Sequence, residues 1–369
     1  MADQLHDLHN KFKTGMFNIL IVGRSSSGKS TLVNEIFEGN FATTGLSEPT
    51  TMETRRYTKQ GVPLAIYNTR GLELKECDQI LNQLLTFVEE NQGREPRQRI
   101  HVAWLCIVED GHVEEAEKEL ARRLAQFIPV IGVITKARAD KGFRSAVQRL
   151  LPETKNVVRV RAIEEHLDNG YVLLPEGLEN LVEATAQVLS EGDILRAFVT
   201  VQKGIKLKQQ EADKIILAAV VAAAGAGGVP VPLATTGLLV PIQMFMLAKI
   251  SNIFGIKMAS AEFWRDLILG LAASLMGATI GIGTLGNVLK FIPGVGTLTG
   301  GVILSASSTV LTYKLGHWYI DFLIQQITNS GGRLPTLDLI SKSFKEFSGK
   351  IRKRNFIVTR VLDKETRGK

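Results

Sequence analysis

Gly23-Arg24-Ser25-Ser26-Ser27-Gly28-Lys29-Ser30 decides the reading of this chain. The eight residues fit G-x-x-x-x-G-K-[ST], a loop that cradles phosphate groups. An apolar run, Phe17–Val22, leads into it, and a helix-like run, Thr31–Phe37, leads out. That strand–loop–helix order is the context the motif needs. Glycines let the backbone curl so that successive N–H groups point inward, and the following helix adds its positive end. Gly23, Ser25, Ser26, Ser27, Gly28, Lys29, Ser30 and Thr31 are therefore the expected phosphate contacts. Lys29 is placed to reach the β- and γ-phosphates, and the Ser30 hydroxyl to hold Mg²⁺. The plainer alternative is a Gly/Ser-rich turn before an ordinary helix.

Beyond the loop, strand-like and helix-like segments alternate. Thr54–Thr58 and Val62–Asn68 read as strands joined at Gln60-Gly61, and Asp78–Glu90 as a helix. Ile100–Glu109, Pro129–Thr135 and Val157–Ala162 read as further strands, with helices at Glu114–Phe127 and Gly177–Leu189. The order predicts an α/β fold, a three-layer sandwich around a mostly parallel sheet.

These segments, over Met16–Glu191, resemble the Era-like branch of the translation-factor-type GTPases. The resemblance rests on the loop and on four further stretches. Ser47-Glu48-Pro49-Thr50-Thr51 resembles a switch segment, with Thr51 implied as a Mg²⁺ contact and Thr50 as the alternative. Asn68-Thr69-Arg70-Gly71 stands where the family has Asp-x-x-Gly. Gly71 keeps an N–H for the γ-phosphate, whereas Asn68 offers Mg²⁺ only a neutral amide through water. Leu72 follows, where many relatives carry a catalytic Gln. Thr135-Lys136-Ala137-Arg138 matches [NT]-K-x-D except at its last position, where the family's Asp grips guanine. Asp140 lies two residues on and would serve only if the loop were rearranged. Val160-Arg161-Ala162 sits where relatives have Ser-Ala-[KL], which puts the Ala162 N–H near the base. The implied catalytic set is Lys29, Thr51 and Gly71. The implied activity is slow hydrolysis of GTP to GDP with Mg²⁺. A non-hydrolysing scaffold is the alternative.

The second half changes character. Ile215–Ala248 contains no charged residue over 34 positions, and Leu267–Leu289 and Phe291–Tyr313 are uncharged over 23 each. A spanning helix needs roughly 20 apolar residues. Gly277-Ala278-Thr279-Ile280-Gly281 fits a small-xxx-small helix contact. Val229-Pro230-Val231-Pro232, Val240-Pro241-Ile242-Gln243 and Ile253-Phe254-Gly255-Ile256 resemble a Gly/Ala-rich domain of unknown function fused to Era-like GTPases in bacteria.

The net charge is +7, and the segment from Leu339 onward, with ten basic and three acidic residues, supplies all of it. Such a tail suits an anionic lipid surface or, as the second choice, RNA. The segments predicted are an N-terminal extension (1–15), a nucleotide-binding domain (16–192) and a connecting helix (193–214). An all-α, Gly-rich apolar domain (215–325), with membrane-spanning or buried helices, and a basic tail (326–369) complete the order. This points to a GTP/GDP switch at the cytoplasmic face of a membrane, with a soluble cytoplasmic protein as the alternative. A homodimer through the nucleotide domain or the apolar helices is a further partner reading. Cys77 and Cys106 have neither metal-ligand nor disulfide-framework spacing, and His101, His112 and His317 lack a second ligand nearby. The polar stretch Met1–Lys13 has no apolar core of a secretory signal.

Overall fold

The computed structural model describes residues 15–38, 46–49, 54–69, 77–96, 98–109, 111–168, 170–227, 234–256, 260, 263–264, 267–268, 302–330 and 334–343. Thr50, Thr51, Gly71, Leu72, the glycine-rich stretch 269–300 and the tail from 344 lie outside them. The chain divides into two compact units, with the boundary between Leu207 and Lys208.

The first unit is built on seven strands. They are β1 (Phe17–Gly23), β2 (Leu46–Pro49), β3 (Thr54–Thr58), β4 (Leu64–Thr69), β5 (Val102–Val108), β6 (Val130–Thr135) and β7 (Asn156–Val160). Their spatial order is β2-β3-β4-β1-β5-β6-β7. β4, β1, β5, β6 and β7 run parallel, and β2 and β3 pair antiparallel at one edge. β2 takes up part of the segment read from sequence as a switch loop. Pro49 is tolerated there because an edge strand needs fewer ladder donors.

The helices are α1 (Lys29–Ile36), α2 (Cys77–Gln92), α3 (Glu115–Leu124), α4 (Phe143–Leu150), α5 (Leu178–Val188) and α6 (Gly192–Val201). Alternate residues of each strand point to opposite faces. Phe17, Ile19, Ile21 and Trp104 join one core with residues of α1, α5 and α6. Leu20, Val22, Leu105 and Ile107 join the other with residues of α2, α3 and α4. Both faces are covered, so the inner strands read as continuous apolar runs. Each fully buried aliphatic or aromatic side chain contributes roughly 1.5–3 kcal/mol.

Gly177, just before α5, has φ +76°, and a Cβ there would lie 1.8 Å from the Arg159 carbonyl oxygen. Gly177→Ala is expected to destabilise the unit by about 2–4 kcal/mol. A fall in the urea midpoint checks it, and an unchanged midpoint contradicts this packing.

The segment 193–214, expected as one connecting helix, is two helices. α6 belongs to the first core: Phe198 is fully buried, its ring 4.9 Å from that of Phe17. The chain then breaks at Gln202–Gly204. The Gln202 amide donates to the Val199 and Gly204 carbonyls at 3.2 and 3.0 Å, satisfying backbone groups that the break exposes. Lys203 N–H donates to Ile36 O at 2.8 Å, tying the break to the end of α1.

The second unit contains α7 (Ile205–Gly227), most of which lies beyond the boundary, with α8 (Ala234–Ile253) and α9 (Val302–Asn329). Gly316 on α9 lets Ile216 of α7 and Met246 of α8 approach, since a Cβ there would meet them at 2.6 and 3.2 Å. Polar pairs join the helices as well. Gln243 donates to Thr312 at 3.3 Å, Ser251 and Tyr319 share a 2.6 Å hydrogen bond, and His317 lies 3.7 Å from Asp213. Among the described residues no helix is long and apolar enough to cross a membrane. This corrects the expectation of spanning helices where the structure describes them. α7 and α9 are offset from the uncharged stretches, so α7 carries Glu211, Asp213 and Lys214, and α9 carries Lys314 and Asp321, while α8 contains Pro241 and ends past Lys249. The stretch Leu267–Leu289 lies almost wholly outside the described residues.

Candidate phosphate and base site

β1 ends at Gly23, where φ is +143° and a Cβ would sit 2.4 Å from the Cys106 carbonyl oxygen, so only glycine fits. Ser26 and Gly28 are left-handed at φ 60° and 82°, which curls the loop before α1 begins at Lys29. Lys29 folds back over the curl. Its buried Nζ donates to Gly23 O and to Arg24 O, each at 2.7 Å. Burial lowers the Lys29 pKa below its ordinary value. Ser25, Ser26, Ser30 and Thr31 are exposed around the helix start. Ser27 is buried, and its hydroxyl has no protein partner.

Thr135, at the end of β6, locks the loop from behind. Its hydroxyl is 2.7 Å from Ser27 O and 3.2 Å from Ile107 O. Lys136 follows with a left-handed φ of 52°, and Ala137 N–H donates to Val160 O at 3.2 Å. β4 runs beside β1 with Asn68 level with Ile21. The Asn68 Oδ1 is buried without a protein partner. An orphaned acceptor at this strand end fits a Mg²⁺-bound water, so Ser30 and Asn68 suit the metal that the motif implies.

A cavity of about 460 Å³ opens between the loop and the end of the sheet. Gly28 and Thr31, two of the expected phosphate contacts, line it beside the expected base residues Thr135, Lys136 and Ala162. Arg138 lines it too, at the position where an acid was looked for. Asp140 does not. It caps the Arg144 N–H at 2.8 Å and lines a separate cavity of about 460 Å³ together with Arg159.

Several residues that organise the site were given no role by the motifs. Glu109, just after β5, accepts from the amides of Arg138 and Ala139 (3.0 Å for the latter) and from Arg159 Nε at 2.6 Å. Burial works against its charge, yet those donors prevail and hold its carboxyl below the usual range. Arg161 reaches Ala137 O and Leu174 O, each at 2.7 Å, and pairs with Glu176 at 3.1 Å. Arg24 ties the phosphate loop to Glu114 at 2.6 Å, Glu117 at 3.2 Å and His112 O at 2.9 Å. Arginines at Val157-Val158-Arg159-Val160-Arg161, inside an apolar strand pattern, are the signal that would have found two of them.

Residues 18–136 match the family model described as 50S ribosome-binding GTPase. Magnetosome membrane protein 22 of Magnetospirillum gryphiswaldense is 34% identical over 109 residues, 30% of this chain and 55% of its own length. Septin-9 of Rattus norvegicus is 27% identical over 187 residues, 43% of this chain and 31% of its own. The chain thus spans about half or less of the length of these curated relatives. Among solved structures, a probable GTP-binding protein engB is 18% identical, covering 46% of this chain and 97% of that one at a TM-score of 0.33. Era of Aquifex aeolicus is 19% identical, covering 57% and 68% at a TM-score of 0.34. By its sheet order, its loop and its family match, the first unit contains a P-loop domain of the GTPase type.

Proposed function

We propose that the chain is a GTP-binding switch that hydrolyses GTP slowly to GDP and phosphate. The observation that carries this is Lys29, folded onto the Gly23 and Arg24 carbonyls in a phosphate loop whose Gly28 and Thr31 line one cavity with Thr135, Lys136 and Ala162. A triphosphate competes with those carbonyls for the ammonium and takes the loop amides from Gly23 to Ser30. Lys29 and the amides then oppose the charge that develops as water attacks the γ-phosphorus. Thr135 keeps the loop curled, and Lys136 flanks the base. Mg²⁺, when bound, neutralises phosphate charge, with Ser30, Thr51 and, through water, Asn68 as its protein contacts. Gly71 supplies a γ-phosphate amide. Leu72 offers no group to orient water, which supports a slow reaction. Loss of the Thr51 and Gly71 contacts after hydrolysis is the switch.

The output is contact with a membrane surface. The basic tail supports this, as does the likeness to a protein named for the magnetosome membrane. The second reading is a ribosome- or RNA-associated GTPase, favoured by the family's description. Calorimetric titration with GTP and GDP, followed by single-turnover hydrolysis, tests the switch. Micromolar binding with slow phosphate release is the expected result, and absence of binding refutes it. Co-sedimentation with anionic vesicles or with RNA separates the two outputs.

A further inference from the structure

We infer that Glu165 is the carboxylate that selects guanine in this chain, and that Arg138 positions it. The inference rests on the GTP reading and names its specificity-determining residue. Guanine presents two adjacent donors, N1–H and the 2-amino group, which a carboxylate can accept together. Adenine presents an acceptor at N1, which a carboxylate repels. Arg138 has only donors and cannot recognise guanine by this edge.

Three carboxylates line the cavity: Glu109, Glu164 and Glu165. Glu109 is a latch, its side chain 1% exposed and held by two loop amides and Arg159. Glu164 is 60% exposed and pairs with His166. Glu165 is 28% exposed, and both of its oxygens face the Arg138 guanidinium, one at 3.1 Å from Nε and the other paired with Nη2. A carboxylate has about four acceptor sites, so two remain after a bidentate arginine.

The element that carries Glu165 supports this role. It starts a short hairpin, Glu165–His166 paired with Val172–Leu173. The hairpin leaves Tyr171 72% and Leu174 67% exposed, so burial of these two does not fix its place. What holds it is polar and centred on the base loop: Arg161 bonds both Leu174 O and Ala137 O, and Arg138 holds Glu165. The cation at the expected acid position thus brings an acid in from elsewhere.

Glu165→Gln tests this, with Mg²⁺ present and fluorescent GTP, XTP and ATP as probes. The amide keeps the shape but presents a donor to the guanine 2-amino group and suits the xanthine 2-oxygen. GTP binding is expected to weaken by at least about tenfold while XTP gains, inverting the GTP-to-XTP ratio. An unchanged ratio, or equal weakening of both nucleotides, overturns the inference. Adding Arg138→Asp to Glu165→Gln is expected to restore preference for GTP, and failure to do so also counts against it. Wild-type protein that prefers ATP overturns the base assignment alone. Wild-type protein that binds no nucleotide overturns the GTP reading as well.

Discussion

Lys29→Ala is expected to weaken GTP and GDP binding more than any other single change in the first unit. In the structure the buried side chain makes two hydrogen bonds, to Gly23 O and Arg24 O, each at 2.7 Å. Burial disfavours its charge, and a phosphate beside it reverses that preference. Two charge-assisted hydrogen bonds at roughly 1.5–3 kcal/mol each correspond to a loss of about a hundredfold to ten-thousandfold. Nucleotide-free stability should change little, because the substitution also removes a buried ammonium that is costly to desolvate. Titration calorimetry reads the first effect and a thermal melt the second. Retained affinity with an unchanged melt would mean that the loop does not hold phosphate.

How much of this was legible in the sequence follows from how local each feature is. The phosphate loop is eight consecutive residues whose glycines and lysine act on the backbone beside them, so spacing alone places it. The parallel sheet was legible because strands covered on both faces must be apolar at nearly every position, as in Phe17–Val22 and Val102–Val108. The base loop was legible only in part. Thr135 and Lys136 carry a pattern, but Glu109, Arg159, Arg161 and Glu165 meet through pairings between distant segments. Arginines inside the apolar strand pattern mark Arg159 and Arg161, but their spacing does not name the partners they meet. The reading of α6 as a connector failed for a related reason. Its apolar face, Ile194, Ala197, Phe198 and Val201, is amphipathic, but the sequence does not say which core receives it. In the second unit, counting uncharged positions treated stretches as helices. The helices actually start and stop elsewhere, so they bring Glu211, Lys214 and Lys314 with them.

The site also carries a substitution that the structure gives physical content. Asn68 lies one residue before the end of β4, beside β1, and its Oδ1 is buried with no protein partner. A buried orphan acceptor is costly unless a ligand or water satisfies it. Asn68→Asp places a carboxylate on the same stem and raises the attraction for a divalent cation held through water. Outer-shell changes of this kind alter metal affinity or activity by about 10–100-fold. The Mg²⁺ concentration that half-saturates GTP binding is therefore expected to fall by about that factor, with faster single-turnover hydrolysis. The nucleotide-free variant is expected to melt lower, because an unpaired charge replaces an uncharged amide oxygen that is shielded from solvent. The two effects have opposite signs and come from one atom's surroundings, so together they discriminate. A variant with unchanged Mg²⁺ dependence and a lower melt would place Asn68 in the packing of the strand end and remove it from the metal's shell.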